Sequence, residues 1–197
     1  MSKNLVSQTL TGTGTFSVPA GVKEISLFSQ FTLDQNTSFL EGSASGGFLS
    51  STGQPVVWGY NSNGQLGDGT VVSKSSPISV LGSYAFVKLF GAYTLVGQAA
   101  DGSYYIWGAG GQGQAGDGTA TDKSVPVKLS VPFSISKFAT RGGAQHLIAL
   151  SSGGQAYSWG YNSNGQVGVG DLTSRSTPTL VIGGYSFVDV AASNYNG

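Results

Sequence analysis

The chain has 197 residues, with nine Lys and Arg against nine Asp and Glu, no cysteine, and a single histidine, His146. This excludes a disulfide framework, a cysteine-held metal and a zinc site built on several histidines. Charged residues are 9% of the chain, against about 25% in an ordinary soluble domain, and the cations form no block, so nucleic acid is not an expected partner.

In chain order, residues 1–10 lack the apolar core of a secretion signal, and the chain is expected to be made in a cytoplasm. No apolar run approaches about 20 residues, so no membrane insertion is expected. Residues 1–38 form an N-terminal segment. In it Thr15-Phe16-Ser17-Val18-Pro19-Ala20-Gly21-Val22 reads as strand, turn, strand, the second strand running on through Glu24–Phe28.

From residue 39 onward one sentence is spoken three times. The pairs Trp58-Gly59, Trp107-Gly108 and Trp159-Gly160 are spaced by 49 and 52 residues. Six after each Trp lie Gly64, Gly113 and Gly165; seven after lie Gln65, Gln114 and Gln166; nine after lie Gly67, Gly116 and Gly168. Pro77, Pro126 and Pro178 lie nineteen after, and Ser45, Thr94 and His146 thirteen before. Each Trp closes a short run rich in aromatic and β-branched residues, preceded by a Gly-Gln or Gly-Ser turn. The strand before each turn contains Gly47–Leu49, Thr94–Val96 or His146–Leu150. Further strands are predicted at Phe86–Leu89, Ile135–Phe138 and Phe187–Val190. Nothing has the period of a capped helix, so the fold is all-β. A unit of about 50 residues with three or four short strands is a propeller blade, stable only when stacked on neighbours.

Gly143 to Leu150, continued by Gly154-Gln155-Ala156-Tyr157-Ser158-Trp159-Gly160-Tyr161-Asn162-Ser163-Asn164-Gly165-Gln166, resembles the repeat of the regulator of chromosome condensation family, and Trp58 to Gly67 carries it again. The resemblance implies propeller blades over 39–197, with a partial fourth unit from about 184. The family's propeller closes with seven blades, so three and a half repeats imply an incomplete or oligomer-completed ring. The family's histidine stands only at His146; Ser45 and Thr94 replace it elsewhere. The segment Gly14 to Val22 is similar to a Gly-Thr-Phe-x-Val-Pro-Ala-Gly-Val motif of phage tail appendages and bacterial surface proteins. It implies a virion location, with other virion proteins, sister copies, or a host-surface protein or glycan as partners.

The recurring residues read as scaffold. The tryptophans are assigned to packing between blades rather than sugar stacking. The Gly-Gln-x-Gly-x-Gly loops are turns, since a phosphate fingerprint needs a following helix. Gln65, Gln114 and Gln166 are expected to bond neighbouring backbone, and His146 to bond a neighbouring blade. Asp68 and Asp117 are turn aspartates, with Val169 in the third copy, which argues against a calcium site. No cofactor, metal or catalytic group is predicted. Specificity is expected at Tyr60, Tyr161 and the irregular segments Thr70–Ser76, Thr119–Ser124 and Leu172–Thr177. The expected function is non-enzymatic, structural or attachment, on a tailed phage particle. The alternatives are an intracellular interaction propeller resembling a nucleotide-exchange regulator and, third, a polysaccharide hydrolase.

Overall fold

Eleven short strands arrange as three antiparallel meanders, one for each Trp-Gly pair. The computed structural model describes residues 45–140 and 145–192. The hairpin expected within 1–38 and the end of the fourth repeat lie outside them. The first sheet holds β1 (Ser45–Leu49), β2 (Pro55–Gly59) and β3 (Lys74–Ser79). The second holds β4 (Phe86–Gly91), β5 (Thr94–Ala99), β6 (Tyr104–Gly108) and β7 (Lys123–Lys128). The third holds β8 (Ile135–Ala139), β9 (His146–Ser151), β10 (Ala156–Gly160) and β11 (Arg175–Leu180). Among the described residues there is no helix. These are the successive blades of an incomplete propeller.

The register repeats with the sequence. Trp58 pairs with Gly46, Trp107 with Leu95 and Trp159 with Leu147. Phe90 pairs with Val96, six residues on, whereas Ala139 pairs with Ile148, nine on. The extra three residues between β8 and β9 account for the spacing of 52 against 49.

The outermost strands β3, β7 and β11 are absent from the sequence prediction. Their starts were assigned to the irregular segments Thr70–Ser76, Thr119–Ser124 and Leu172–Thr177. They read KSSPIS, KSVPVK and RSTPTL, with little apolar signal and a proline each. Pairing steps from Val57↔Ile78 to Gly59↔Lys74, leaving Pro77 inside a bulge; Pro126 and Pro178 sit the same way. A proline is tolerated there because the outer strand has no ladder beyond it to donate to. A second correction concerns Phe187–Val190, which is not a strand among the described residues. Phe187 N–H donates to Gly154 C=O at 2.8 Å, as Phe86 N–H does to Gly53 at 2.9 Å. The chain therefore enters the place of an inner strand, but no described strand pairs with it, and a strand exists only through its ladder.

The core lies between sheets. Val57, Leu66 and Val80 of the first sheet's repeat meet Phe86, Leu89, Leu95 and Trp107 of the second. Ile106, Tyr104 and Leu129 of the second meet Leu147, Ala149 and Trp159 of the third. Trp107 and Trp159 are fully buried, and each indole Nε1–H donates backwards, to the carbonyls of Gln65 (3.0 Å) and Gln114 (2.9 Å) respectively. Trp58 is only half-buried and packs edge-on against Phe48.

The glycine beside each indole is required twice over. Gly67 and Gly116 have φ of 62° and 71°, and a Cβ on either would lie 2.9 Å from the indole nitrogen of the next blade. Gly168 has the same backbone (φ 72°), but its nearest neighbour would be a Val181 methyl at 3.3 Å. All three Gly→Ala changes incur the left-handed strain of roughly 1–2 kcal/mol; only the first two also displace a tryptophan. Gly67→Ala and Gly116→Ala are expected to lower the melting temperature by several degrees more than Gly168→Ala, at about 2–4 °C per kcal/mol for a chain of this size. Equal losses in calorimetry would show that the indole contact contributes nothing.

Candidate functional site

Antiparallel order places the long loops 60–73, 109–122 and 161–174 at one end of the blades, with the short turn that precedes β5. This end is a rim, and its framework is built from amides. Gln65 Oε1 accepts from Asn63 N–H (3.0 Å), Gln114 Oε1 from Gln112 N–H (2.8 Å) and Gln166 Oε1 from Asn164 N–H (2.9 Å). Each glutamine thus closes its own loop, two residues back. Gln65 and Gln114 are buried, and the Gln65 Nε2 lacks a partner among the described residues.

A second amide, not singled out from the sequence, holds the rest of the loop. Asn61 Oδ1 accepts from Leu66 N–H (2.8 Å), while Nδ2 donates to the carbonyls of Thr70 (3.0 Å) and Val72 (3.2 Å). Asn162 does the same with Val167 (2.9 Å), Asp171 (2.9 Å) and Thr173 (3.0 Å). Both are fully buried. The second repeat has Gly110 at this place, and its N–H donates to Asp122 Oδ1 at 2.8 Å. Asparagine three after Trp in two copies was the available signal.

The loops end on ion pairs. Asp68 accepts from Thr70 N–H and faces Lys74 at 3.1 Å; Asp117 accepts from Thr119 N–H and faces Lys123 at 2.6 Å. Where the third copy has Val169, Asp171 takes over, accepting from Thr173 N–H and pairing with Arg175. Burial pushes the Asp68 and Asp117 carboxyls up, but the threonine and lysine donors more than offset it, and both end below the ordinary carboxylate value. Lys74, Lys123 and Arg175 all stand sixteen after Trp, a register the sequence reading overlooked. Among the described residues no three of His, Asp and Glu gather in one place.

At the position thirteen before Trp, the hydroxyls stay within their own blade: Ser45 Oγ donates to Tyr60 C=O (3.0 Å) and Thr94 Oγ1 to Ala109 C=O (2.7 Å). His146 is buried opposite Gly160 of its own sheet. Burial pushes the imidazole pKa below its ordinary 6.5.

The rim exposes aromatic and amide groups together with the aliphatic side chains of Val71, Val72 and Leu172. Tyr60 is 41% exposed and Tyr93, not anticipated, 42%. Tyr161 is half-buried. An open groove of about 440 Å³ runs between Tyr93, Asn63, Gln112, Asp122 and Gln145. It crosses the blade boundary, which Asn63 Nδ2 bridges by donating to Asp122 Oδ2 at 2.8 Å.

Comparison with known proteins agrees with this frame. The family model described as "Regulator of chromosome condensation (RCC1) repeat" matches residues 101–150 and 153–196, and a second model of the same description matches 136–166. The chain is 36% identical over 153 residues to the E3 ubiquitin-protein ligase HERC2 of Homo sapiens, covering 73% of this chain and 3% of that protein. It is 48% identical over 40 residues to the Ultraviolet-B receptor UVR8 of Arabidopsis thaliana, covering 20% of this chain and 9% of the receptor. The chain thus spans a small fraction of these relatives. Among solved structures, human WBSCR16 superposes with a TM-score of 0.64 at 24% identity, over 78% of this chain and 41% of that one. Prp20p from Saccharomyces cerevisiae superposes at 0.62 and 22%, over 73% and 37%. These two likenesses establish the fold.

The lowered pKa of His146 sets a pH dependence. The unfolded chain binds this proton more tightly than the folded one, so stability is full above about pH 6.5 and falls as pH drops below it. Asp68 and Asp117 add a separate loss lower down, as pH falls below about 3.9. Between pH 7 and pH 5 the wild-type melting temperature is expected to fall more than that of His146→Gln. Parallel curves would assign the slope to other groups.

Proposed function

Because the chain is built from regulator of chromosome condensation repeats, we propose that it is a non-catalytic protein-interaction module whose working surface is the rim around Tyr60, Tyr93 and the Asn63–Asp122 bridge. The observation that carries this reading is the division of labour within each repeat. The recurring Trp, Gly and Gln and the buried Asn61 and Asn162 are used up by the framework, whereas Tyr60, Ser62 and Asn63, matched by Tyr161, Ser163 and Asn164 in the third blade but by Ala109, Gly111 and Gln112 in the second, are left on the rim. Aromatic and amide groups on a rigid loop platform suit protein or glycan contact through hydrogen bonds and ring stacking. With net charge zero, charge steering has little to offer. The named relatives include an E3 ubiquitin-protein ligase and an Ultraviolet-B receptor, and the yeast protein of the same fold was examined for its binding to Gsp1p and histones. In each the match covers only part of that protein's chain.

A finer reading places the module on a tailed phage particle, in contact with other virion proteins or a host surface. The Gly14–Val22 motif and the low charge favour it. Many copies on one particle would convert weak rim contacts into avidity. Mass spectrometry of purified particles against cell extract tests this: the chain is expected in the particle, and its confinement to extract would defeat the finer reading alone.

The module reading is tested by quantitative cross-linking in the producing cell. The double variant Tyr60→Ala/Tyr93→Ala is expected to lose most cross-linked partner while its melting temperature stays within about 1–2 °C of wild type. Lys128→Ala, at the opposite end, is expected to keep the partner. Equal capture by the rim variant would move the working surface elsewhere.

A further inference from the structure

We propose that the groove walled by Tyr93, Gln114 and Asp122 binds an uncharged sugar ring of a glycan. The assignment rests on the rim being the working surface, and it names the chemistry of what one part of that rim holds.

Gln114 provides the starting point. Its side chain is 4% exposed, and its Oε1 accepts from Gln112 N–H at 2.8 Å. A backbone N–H can meet only the oxygen of an amide, so this bond decides which way the group is turned. Nε2 is left on the other side, without a partner among the described residues, and the side chain lines the groove. Gln65, one blade earlier, makes the same bond at 0% exposure, with its Nε2 sealed inside. The amide at 114 reaches a groove of about 440 Å³ instead. That lies within the roughly 300–1,000 Å³ of small-ligand sites. A nearly buried N–H donor with nothing to bond calls for an acceptor from outside the chain.

Asp122 supplies the opposite chemistry. Its Oδ1 accepts from Gly110 N–H and its Oδ2 from Asn63 Nδ2, both at 2.8 Å. These two bonds hold the carboxylate in place. An ionised carboxylate has about four lone-pair sites, so about two stay open. Asp68, Asp117 and Asp171 each have their own Lys or Arg, whereas among the described residues no cation pairs with Asp122. Tyr93 is the third wall. Its carbonyl accepts from Ala109 N–H at 2.8 Å, which fixes the backbone beside the groove and leaves the ring exposed. Among the described lining residues Tyr93 is the one ring and Ala109 the one aliphatic side chain.

A hydroxyl both donates and accepts, so one group can give its proton to Asp122 and receive the Gln114 N–H. A sugar ring carries such hydroxyls on its edge and C–H groups on its face, and the face suits the Tyr93 ring. A protein anchor is typically a large side chain in a well-packed pocket. This groove has no apolar floor for one, and the exposed Val71, Val72 and Leu172 of the rim are not among its walls. The unpaired carboxylate also sets a sign: it repels sialic and uronic acids, so the sugar it admits is neutral.

The test is saturation-transfer-difference NMR of the purified full chain with methyl glycosides of neutral hexoses and N-acetylhexosamines, and with the methyl glycoside of N-acetylneuraminic acid. At least one neutral glycoside is expected to bind, with strongest transfer to its ring C–H protons, and the acidic one is expected not to. Tyr93→Ala removes the ring. Gln114→Glu keeps an oxygen for the Gln112 N–H and removes only the donor. Asp122→Asn keeps an acceptor for the Gly110 N–H and removes the charge. Each is expected to weaken the neutral glycoside about fivefold or more. Tyr93→Ala alters an exposed side chain, so it decides the matter even where the other two loosen their loops. No transfer to any neutral glycoside, equal transfer to the acidic one, or binding unchanged by all three variants overturns the assignment. So does a lysine- or arginine-bearing peptide that binds where no sugar does and is lost with Asp122→Asn. These results leave the rim reading intact, provided that the cross-linked partner still depends on Tyr60 and Tyr93; equal capture by that double variant defeats the rim reading itself.

Discussion

An indole N–H that crosses from one sheet to the loop of the sheet before it holds the stack in register. Trp107 and Trp159 are fully buried, and each nitrogen has found a carbonyl within 3.0 Å. A buried donor left without a partner costs about 1–3 kcal/mol. A one-residue slip between blades would therefore lose the bond as well as the packing of the ring. The hydrophobic effect supplies most of the stabilisation, but it is not directional. The indole bond makes the blade-to-blade fit single-valued, and the rest follows from it. The glycine at nine after Trp must be bare, because the ring lies where its side chain would be. The glutamine whose backbone carbonyl receives the indole turns its side chain back on its own loop and holds that loop in place.

This separation of duties explains which repeat positions vary. Asp68 with Lys74 and Asp117 with Lys123 close two loops; Asp171 with Arg175 closes the third from a different starting point. Partly exposed ion pairs contribute little each, so the carboxylate has slid two residues along the chain with the architecture unchanged. Asn61 and Asn162 are different. Their amides each satisfy one N–H and two carbonyls in a buried loop. Where the second repeat has Gly110 instead, Asp122 accepts from the Gly110 N–H, the part that Ser73 and Ser174 play for the Asn61 and Asn162 backbone.

Legibility in the sequence tracks the same physics. The Trp-Gly pairs, the strands on either side of the Gly-Gln and Gly-Ser turns, and the all-β fold were readable because burial on both faces forces runs such as Tyr104–Trp107 to be apolar and aromatic. The outer strands were not, because Lys74–Ser79 has one face in water and a proline in its bulge; such a strand is written by its neighbour's ladder. Phe187–Val190 failed in the opposite sense. It carries the apolar pattern of an inner strand, but pattern is only a willingness to pair. Asn61 and Tyr93 were missed for another reason: a polar residue in a loop looks alike whether its amide is buried or its ring exposed, and only coordinates separate the two.

A stack of blades has a property that a closed domain lacks, since every internal boundary is a sample of what an end face wants. In most proteins an exposed apolar patch says only that something covers it. Here the structure contains two worked examples of the cover, each with its donors, acceptors and ring contacts. The rim and the end faces are therefore different kinds of surface. The exposed ring of Tyr93 makes no bond that the fold needs, whereas Asn63 and Asp122 of the same rim also bridge two blades. The end faces are bound to the repeat, because the same groups must make the interior.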